Sequence, residues 1–133
     1  MVRLIFIVDD LRHEDLCFEL NQVVRQDDDI VVVCRDARSA VMTLCQLAEN
    51  HFAIDITMLD HDLGDGLDTS WVLNWLLGMV DDDDPQYLDN PLKFIGPILK
   101  NTQWFYHTSN IGTIQSMKSK VSQIQKWIDN HID

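Results

Sequence analysis

The sequence has no apolar run near the ~20 residues that a membrane-spanning helix requires. Met1–Val8 is too short for a signal peptide, and acids follow it at once, so the chain is expected in the cytoplasm and off the membrane. Cysteine is scarce. Cys17, Cys34 and Cys45 are odd in number and lack CxxC spacing, which excludes a disulfide framework and a zinc cluster and leaves them as small core hydrophobes. Glutamate is scarcer than aspartate: of 22 acids only Glu14, Glu19 and Glu49 are glutamate. Aspartate prefers caps, turns and strand ends, so much of the acid belongs in loops. Lys and Arg number only 10, for a net charge of -12, and such a chain repels duplex DNA. An anionic ligand would need a bridging cation or a local basic spot. With 46% apolar and 24% charged residues, the chain is neither collagen-like, a coiled-coil rod nor wholly disordered. Its 133 residues suit a single domain over 1–133.

What is present alternates. Leu4–Val8 (LIFIV) and Ile30–Cys34 (IVVVC) are unbroken apolar runs, the pattern of strands buried on both faces of a parallel sheet. Between them, Leu16, Leu20, Val23 and Val24 follow a helical period, behind Glu14 and Asp15 at an N-terminus. Asp36 or Ser39 can cap a second helix with Ala40, Val41, Leu44, Leu47 and Ala48 on its apolar face. A third strand is expected from Ala53 to Leu59. A helix from about Asp68 carries Trp71, Val72, Trp75, Leu76 and Met79. Tyr87–Lys100 contains Pro91 and Pro97 and fits no element; residues 81–101 are read as a loop or insertion. Gln103–Tyr106 reads as a fourth strand. Ile111, Ile114, Met117, Val121, Ile124 and Ile128 mark a final helix.

The order βαβαβαβα implies a parallel sheet with helices on both faces. Ligands bind such sheets outside the carboxyl ends of the strands. The unusual polar residues fall at those ends: Asp9-Asp10, Arg35, Asp60-His61-Asp62, and His107-Thr108-Ser109-Asn110. If the first and third strands are neighbours, Asp9, Asp10 and Asp60 converge, with Asp62 beside them as a further ligand. Crowded carboxylates need a proton or a cation, and hard oxygen ligands suit Mg²⁺ or Mn²⁺. Asp9 or Asp10 could instead simply cap the following helix. His61 and His107, on opposite sides of one pocket, could act as base and acid in phosphodiester cleavage, or each could satisfy a local backbone group. Arg12 and Arg35 could hold a phosphate by a bidentate fork, or pair with the aspartates next to them. Ser109 and Asn110 suit the cap of the last helix, whose free N–H groups would face an anion. His13, His51 and His131 have no such context and are read as surface residues.

Two resemblances follow from these residues. Asp9-Asp10, Asp60, and Thr108 or Ser109 resemble the acidic pair, the aspartate and the Ser/Thr of response-regulator receiver domains. The receiver's lysine after a fifth strand has no counterpart. More closely, Asp9-Asp10-Leu11-Arg12, Leu59 to Gly64 (LDHDLG), and His107-Thr108-Ser109-Asn110 followed by Met117 resemble the cyclic-phosphate processing receiver-like family of bacteria and phages. Arg35 also fits; Ile111 stands where the family has proline. The resemblance implies an α/β receiver-like (flavodoxin-like) three-layer sandwich, with a four-stranded parallel sheet lacking the fifth strand. It implies a metal-assisted phosphoesterase acting on cyclic phosphates of small nucleotides or RNA ends. Asp9, Asp10, Asp60 and Asp62 would hold a divalent cation, magnesium or manganese. His61 and His107, with Asp60, would do the proton chemistry. Arg12, Arg35, Thr108, Ser109 and Asn110 would hold phosphate oxygens. The alternatives are a non-catalytic receiver-like binding module and a phosphoacceptor at Asp60.

Overall fold

The computed structural model describes residues 2–63, 66–108 and 110–133. Four parallel strands, β1 (Leu4–Val8), β2 (Ile30–Cys34), β3 (Ile56–Asp60) and β4 (Gln103–His107), form one sheet in the order β2-β1-β3-β4. The helices are α1 (Glu14–Leu20), α2 (Ala37–Glu49), α3 (Thr69–Leu76), α4 (Pro91–Leu99) and α5 (Ile111–His131). This is a flavodoxin-like α/β sandwich, and among the described residues no fifth strand follows β4.

The chain steps from β1 outward to β2, then back past β1 to β3 and on to β4. Right-handed crossovers therefore send α1 to one face and the later connections to the other. The two cores follow. Ile5, Ile7, Ile56 and Met58 pack with Cys17 and Phe18 of α1. Leu4, Phe6, Val8 and Leu59 face a much larger core built by α2, α3, α4 and α5. Helices thus lie on both faces, but four against one.

Residues 81–101 are the expected loop only as far as Asn90. They contain α4, which buries Leu92, Ile95, Ile98 and Leu99 in the main core. Pro91 opens the helix behind the Asn90 cap, a position where its missing N–H costs nothing. Pro97 lies on the exposed side, so the carbonyl it leaves unbonded can face water. The acidic loop before α4 is pinned: Trp75 Nε1 donates to the Gln86 carbonyl at 2.7 Å, and Arg38 pairs with Asp84 at 3.1 Å.

Helix α1 is shorter than its period suggests and is turned. Cys17 and Phe18 are buried, whereas Leu16, Leu20 and Val24 are exposed. The helix ends because Gln22 adopts a left-handed φ of 56°. Its N–H donates to Glu19, and Val23 N–H donates to Phe18, a Schellman closure. His51 (φ 60°) closes α2 the same way, and Gly78 (φ 74°) closes α3. Gly78 ends its helix without a steric cost, whereas Gln22 and His51 bear one of ~1–2 kcal/mol, partly offset by the entropy glycine would lose. Gln22→Gly and His51→Gly are each expected to raise stability by ~0.5–1 kcal/mol in urea unfolding. Further differences are local. β3 starts at Ile56 rather than Ala53, and Met79 and Ile111 are exposed rather than core.

At the amino end of the sheet, Arg3 holds Asp29 by two hydrogen bonds of 2.9 and 2.7 Å. The Arg3 bond keeps the Asp29 carboxyl below its ordinary value. A carboxyl depressed by folding adds stability at neutral pH and loses it as pH falls through the carboxylate range. Asp29→Asn is expected to cost ~1 kcal/mol at neutral pH and to match the wild type in acid, as read from urea unfolding across pH.

Candidate functional site at the carboxyl edge of the sheet

The strand order reverses between β1 and β3, and their carboxyl ends diverge there into a crevice. Asp9 follows β1 directly and Asp60 ends β3. Both are buried, and Asp10 is half-buried beside them. One carboxylate oxygen from each of the three lies within 4.8 Å of the others. The expected convergence of Asp9, Asp10 and Asp60 is present, and three hard oxygen donors of this kind fit Mg²⁺ or Mn²⁺.

The carboxylates differ in their surroundings. Asp9 Oδ1 accepts the backbone N–H groups of Leu11 (3.1 Å) and Arg12 (2.9 Å), while Oδ2 accepts Arg12 Nη1 (3.0 Å). Burial works to raise the Asp9 carboxyl, but these hydrogen bonds outweigh it and hold it below its ordinary value. Among the described residues, no backbone N–H supports Asp60. Burial, then the charge of Asp9, push its carboxyl up, and Arg12, 3.3 Å from Oδ1, only partly offsets them. Arg12 thus bridges both acids, the ion-pair alternative, and these two charges raise its own value against the effect of burial. Cys17 Sγ lies 3.7 Å from Asp9 Oδ2. Burial and that charge push the thiol up to about 11, so it stays a neutral donor.

An open cavity of about 460 Å³ lies over this crevice, lined by Asp10, Leu11, Arg12, Asp60, Asp62, His107 and Thr108. His107 reaches it by register. It pairs directly with Asp60 across β3 and β4, and residues paired in this way share a face of the sheet. No described residue hydrogen-bonds its ring. His61, one residue beyond Asp60, does not line the cavity. Its Nδ1 lies 3.0 Å from Asp62 and its Nε2 3.3 Å from Asp68, which also caps α3. The expected pair of histidines flanking one pocket is therefore not formed; His107 faces it and His61 backs Asp62.

No protein-family model, curated protein or solved structure matches the chain.

The other sequence candidates divide. Arg35 neither pairs with an aspartate nor lines the cavity. Its Nη1 donates to the carbonyls of Asp9 (3.2 Å) and Arg12 (2.6 Å), fastening the loop that carries the acids. Thr108 lines the cavity, and its Oγ1 accepts the Asn110 N–H at 3.3 Å. Asn110 is the cap of α5, accepting from Thr113 N–H at 3.2 Å, and lies outside the lining. Ser109 lies outside the described residues. His13, His51 and His131 are exposed, as expected. Two contributors were missed. Asp68 holds His61, and no local pattern separates it from an ordinary helix cap. Leu11, 85% exposed at the cavity mouth, is an apolar residue with no core to fill, and its place between Asp10 and Arg12 was the available signal.

Proposed function

We propose that the chain is a metal-assisted phosphoesterase that hydrolyses cyclic phosphates of nucleotides or RNA ends at this cavity. The observation that carries the reading is the meeting of Asp10, Arg12, Asp60, His107 and Thr108, from three separate strand ends, around one open space. A cation held by Asp9, Asp10 and Asp60 would supply Lewis-acid stabilisation of phosphoryl charge. That suits a chain of net charge -12, which does not attract phosphate unaided. His107, with its ring facing the cavity, moves the proton: it takes one from the attacking water or gives one to the departing ribose oxygen. Thr108, on the cavity lining, meets a phosphate oxygen through its hydroxyl. His61 holds Asp62 in place rather than meeting substrate. The order of the DD-x-R, LDHDLG and H-[ST]-x-N segments, similar to the cyclic-phosphate processing family, supports the same reading.

The test is turnover of 2′,3′-cyclic nucleotides with Mg²⁺ or Mn²⁺ and without either. Ring opening that requires the ion supports the reading. Nucleotide binding without ring opening replaces it with a receiver-like binding module. Labelling by acetyl phosphate that disappears in Asp60→Asn replaces it with a phosphoacceptor, although no lysine lines the cavity to assist one.

A further inference from the structure

Arg12 occupies an awkward place for a phosphate ligand. Its Nη1 lies 3.0 Å from Asp9 Oδ2 and 3.3 Å from Asp60 Oδ1, between two of the three carboxylates that suit a cation. A guanidinium already neutralised by two acids has little attraction left for an anion. A divalent ion bonded to the same acids at ~2.0–2.1 Å would face that positive charge at close range.

The surroundings leave the side chain a way out. Arg12 lines both the narrow cleft beside Cys17 and Met58 and the open cavity that His107 and Thr108 share. Its side chain is 31% exposed and borders the open cavity, so the guanidinium has space to turn into. Its backbone is held independently, with its N–H on Asp9 Oδ1 and its carbonyl on Arg35 Nη1. The loop can stay fixed while the guanidinium moves.

We propose that Arg12 and a divalent cation compete for the Asp9 and Asp60 carboxylates, and that binding of the ion turns the guanidinium into the cavity as a ligand for the phosphate. Arg12 is then a built-in counterion in the metal-free protein and an anion clamp in the loaded one. Order follows: the ion binds first, and the phosphate gains a five-donor fork only afterwards. By linkage, phosphate tightens the ion by the same factor as the ion tightens phosphate. This rests on the cation site of the proposed function, but not on turnover.

Calorimetric titration with Mn²⁺, compared between wild type and Arg12→Gln, tests the competition. Expected is at least roughly tenfold tighter Mn²⁺ binding in the variant, together with loss of most of the Mn²⁺-dependent gain in inorganic phosphate affinity seen in the wild type. Equal Mn²⁺ affinities overturn the proposal. Because the variant removes a counterion and could fold poorly, the wild type supplies a second readout, the Arg12 Nε–H resonance during titration with Mg²⁺. It is expected to shift and to exchange faster with water as the ion binds. A signal that stays in place while Mg²⁺ saturates the protein overturns the exchange. Competition at the acids without any cyclic-phosphate turnover supports the exchange and removes the phosphoesterase reading.

Discussion

His107→Ala is expected to lower ion-dependent turnover of a 2′,3′-cyclic nucleotide by roughly 10²- to 10⁴-fold, the usual contribution of a positioned acid or base. Stability should stay within about 0.5 kcal/mol, because the ring is half-buried and hydrogen-bonds no described residue. The asymmetry with His61 makes the experiment decisive. His61 touches Asp62 and Asp68 and not the cavity, so His61→Ala should cost much less, about tenfold, and act by loosening Asp62. Equal losses in both variants would restore the sequence expectation of two histidines sharing the proton chemistry. Steady-state rates together with urea unfolding of each variant separate these outcomes.

Asp60→Asn is expected to remove cation binding and turnover while making the metal-free protein more stable, by about 1 kcal/mol. Burial and the Asp9 charge raise the Asp60 carboxyl above its ordinary value. A carboxyl raised in the fold is favourable below its unfolded value and becomes a growing cost as pH rises through the carboxylate range. At neutral pH the asparagine removes that cost and can still accept a hydrogen bond from Arg12. Asp9 should behave in the opposite way. Its carboxyl is lowered, and it carries two backbone N–H groups and Arg12, so Asp9→Ala leaves Arg12 short of a partner and should cost about 3 kcal/mol or more. Opposite effects on stability would show that, of two acids at the one cation site, the fold relies on Asp9 and carries Asp60 at a cost.

The strands were legible because parallel strands buried on both faces are written as unbroken apolar runs. LIFIV matches β1, buried throughout, residue for residue; IVVVC matches the bounds of β2, but β2 is an edge strand with Ile30 exposed and only Cys34 buried, not the expected buried strand. LIFIV places Asp9 at its carboxyl end and the apolar run of β3 places Asp60 at its own, so the acidic cluster was legible too. What escaped was side-chain direction. Leu16, Leu20, Val23 and Val24 share a helical period, but period alone does not say which face meets the sheet; Cys17 and Phe18 took that place, and of the four only Val23 packs against them. Helix α4 escaped because Pro91 and Pro97 look like breaks, although one opens the helix and the other faces outward. His61 lies just beyond the end of β3, where strand alternation no longer fixes direction, and it turned to Asp62 and Asp68; His107, in register with Asp60 inside β4, lines the cavity. Arg35 escaped because its partners are backbone carbonyls, which carry no sequence signal.

Asp9, Asp10 and Asp60 are proposed to hold a divalent cation beside His107. The chain offers a rival for that ion in the acidic run Asp81–Asp84, at the far end of α3 from the site. Paramagnetic broadening of amide signals by substoichiometric Mn²⁺ distinguishes the two. Expected is early loss of the signals of residues 9–12, 60–62, 107 and 108, with residues 81–84 intact. Loss confined to residues 81–84, or spread evenly over the acidic surface, would contradict it.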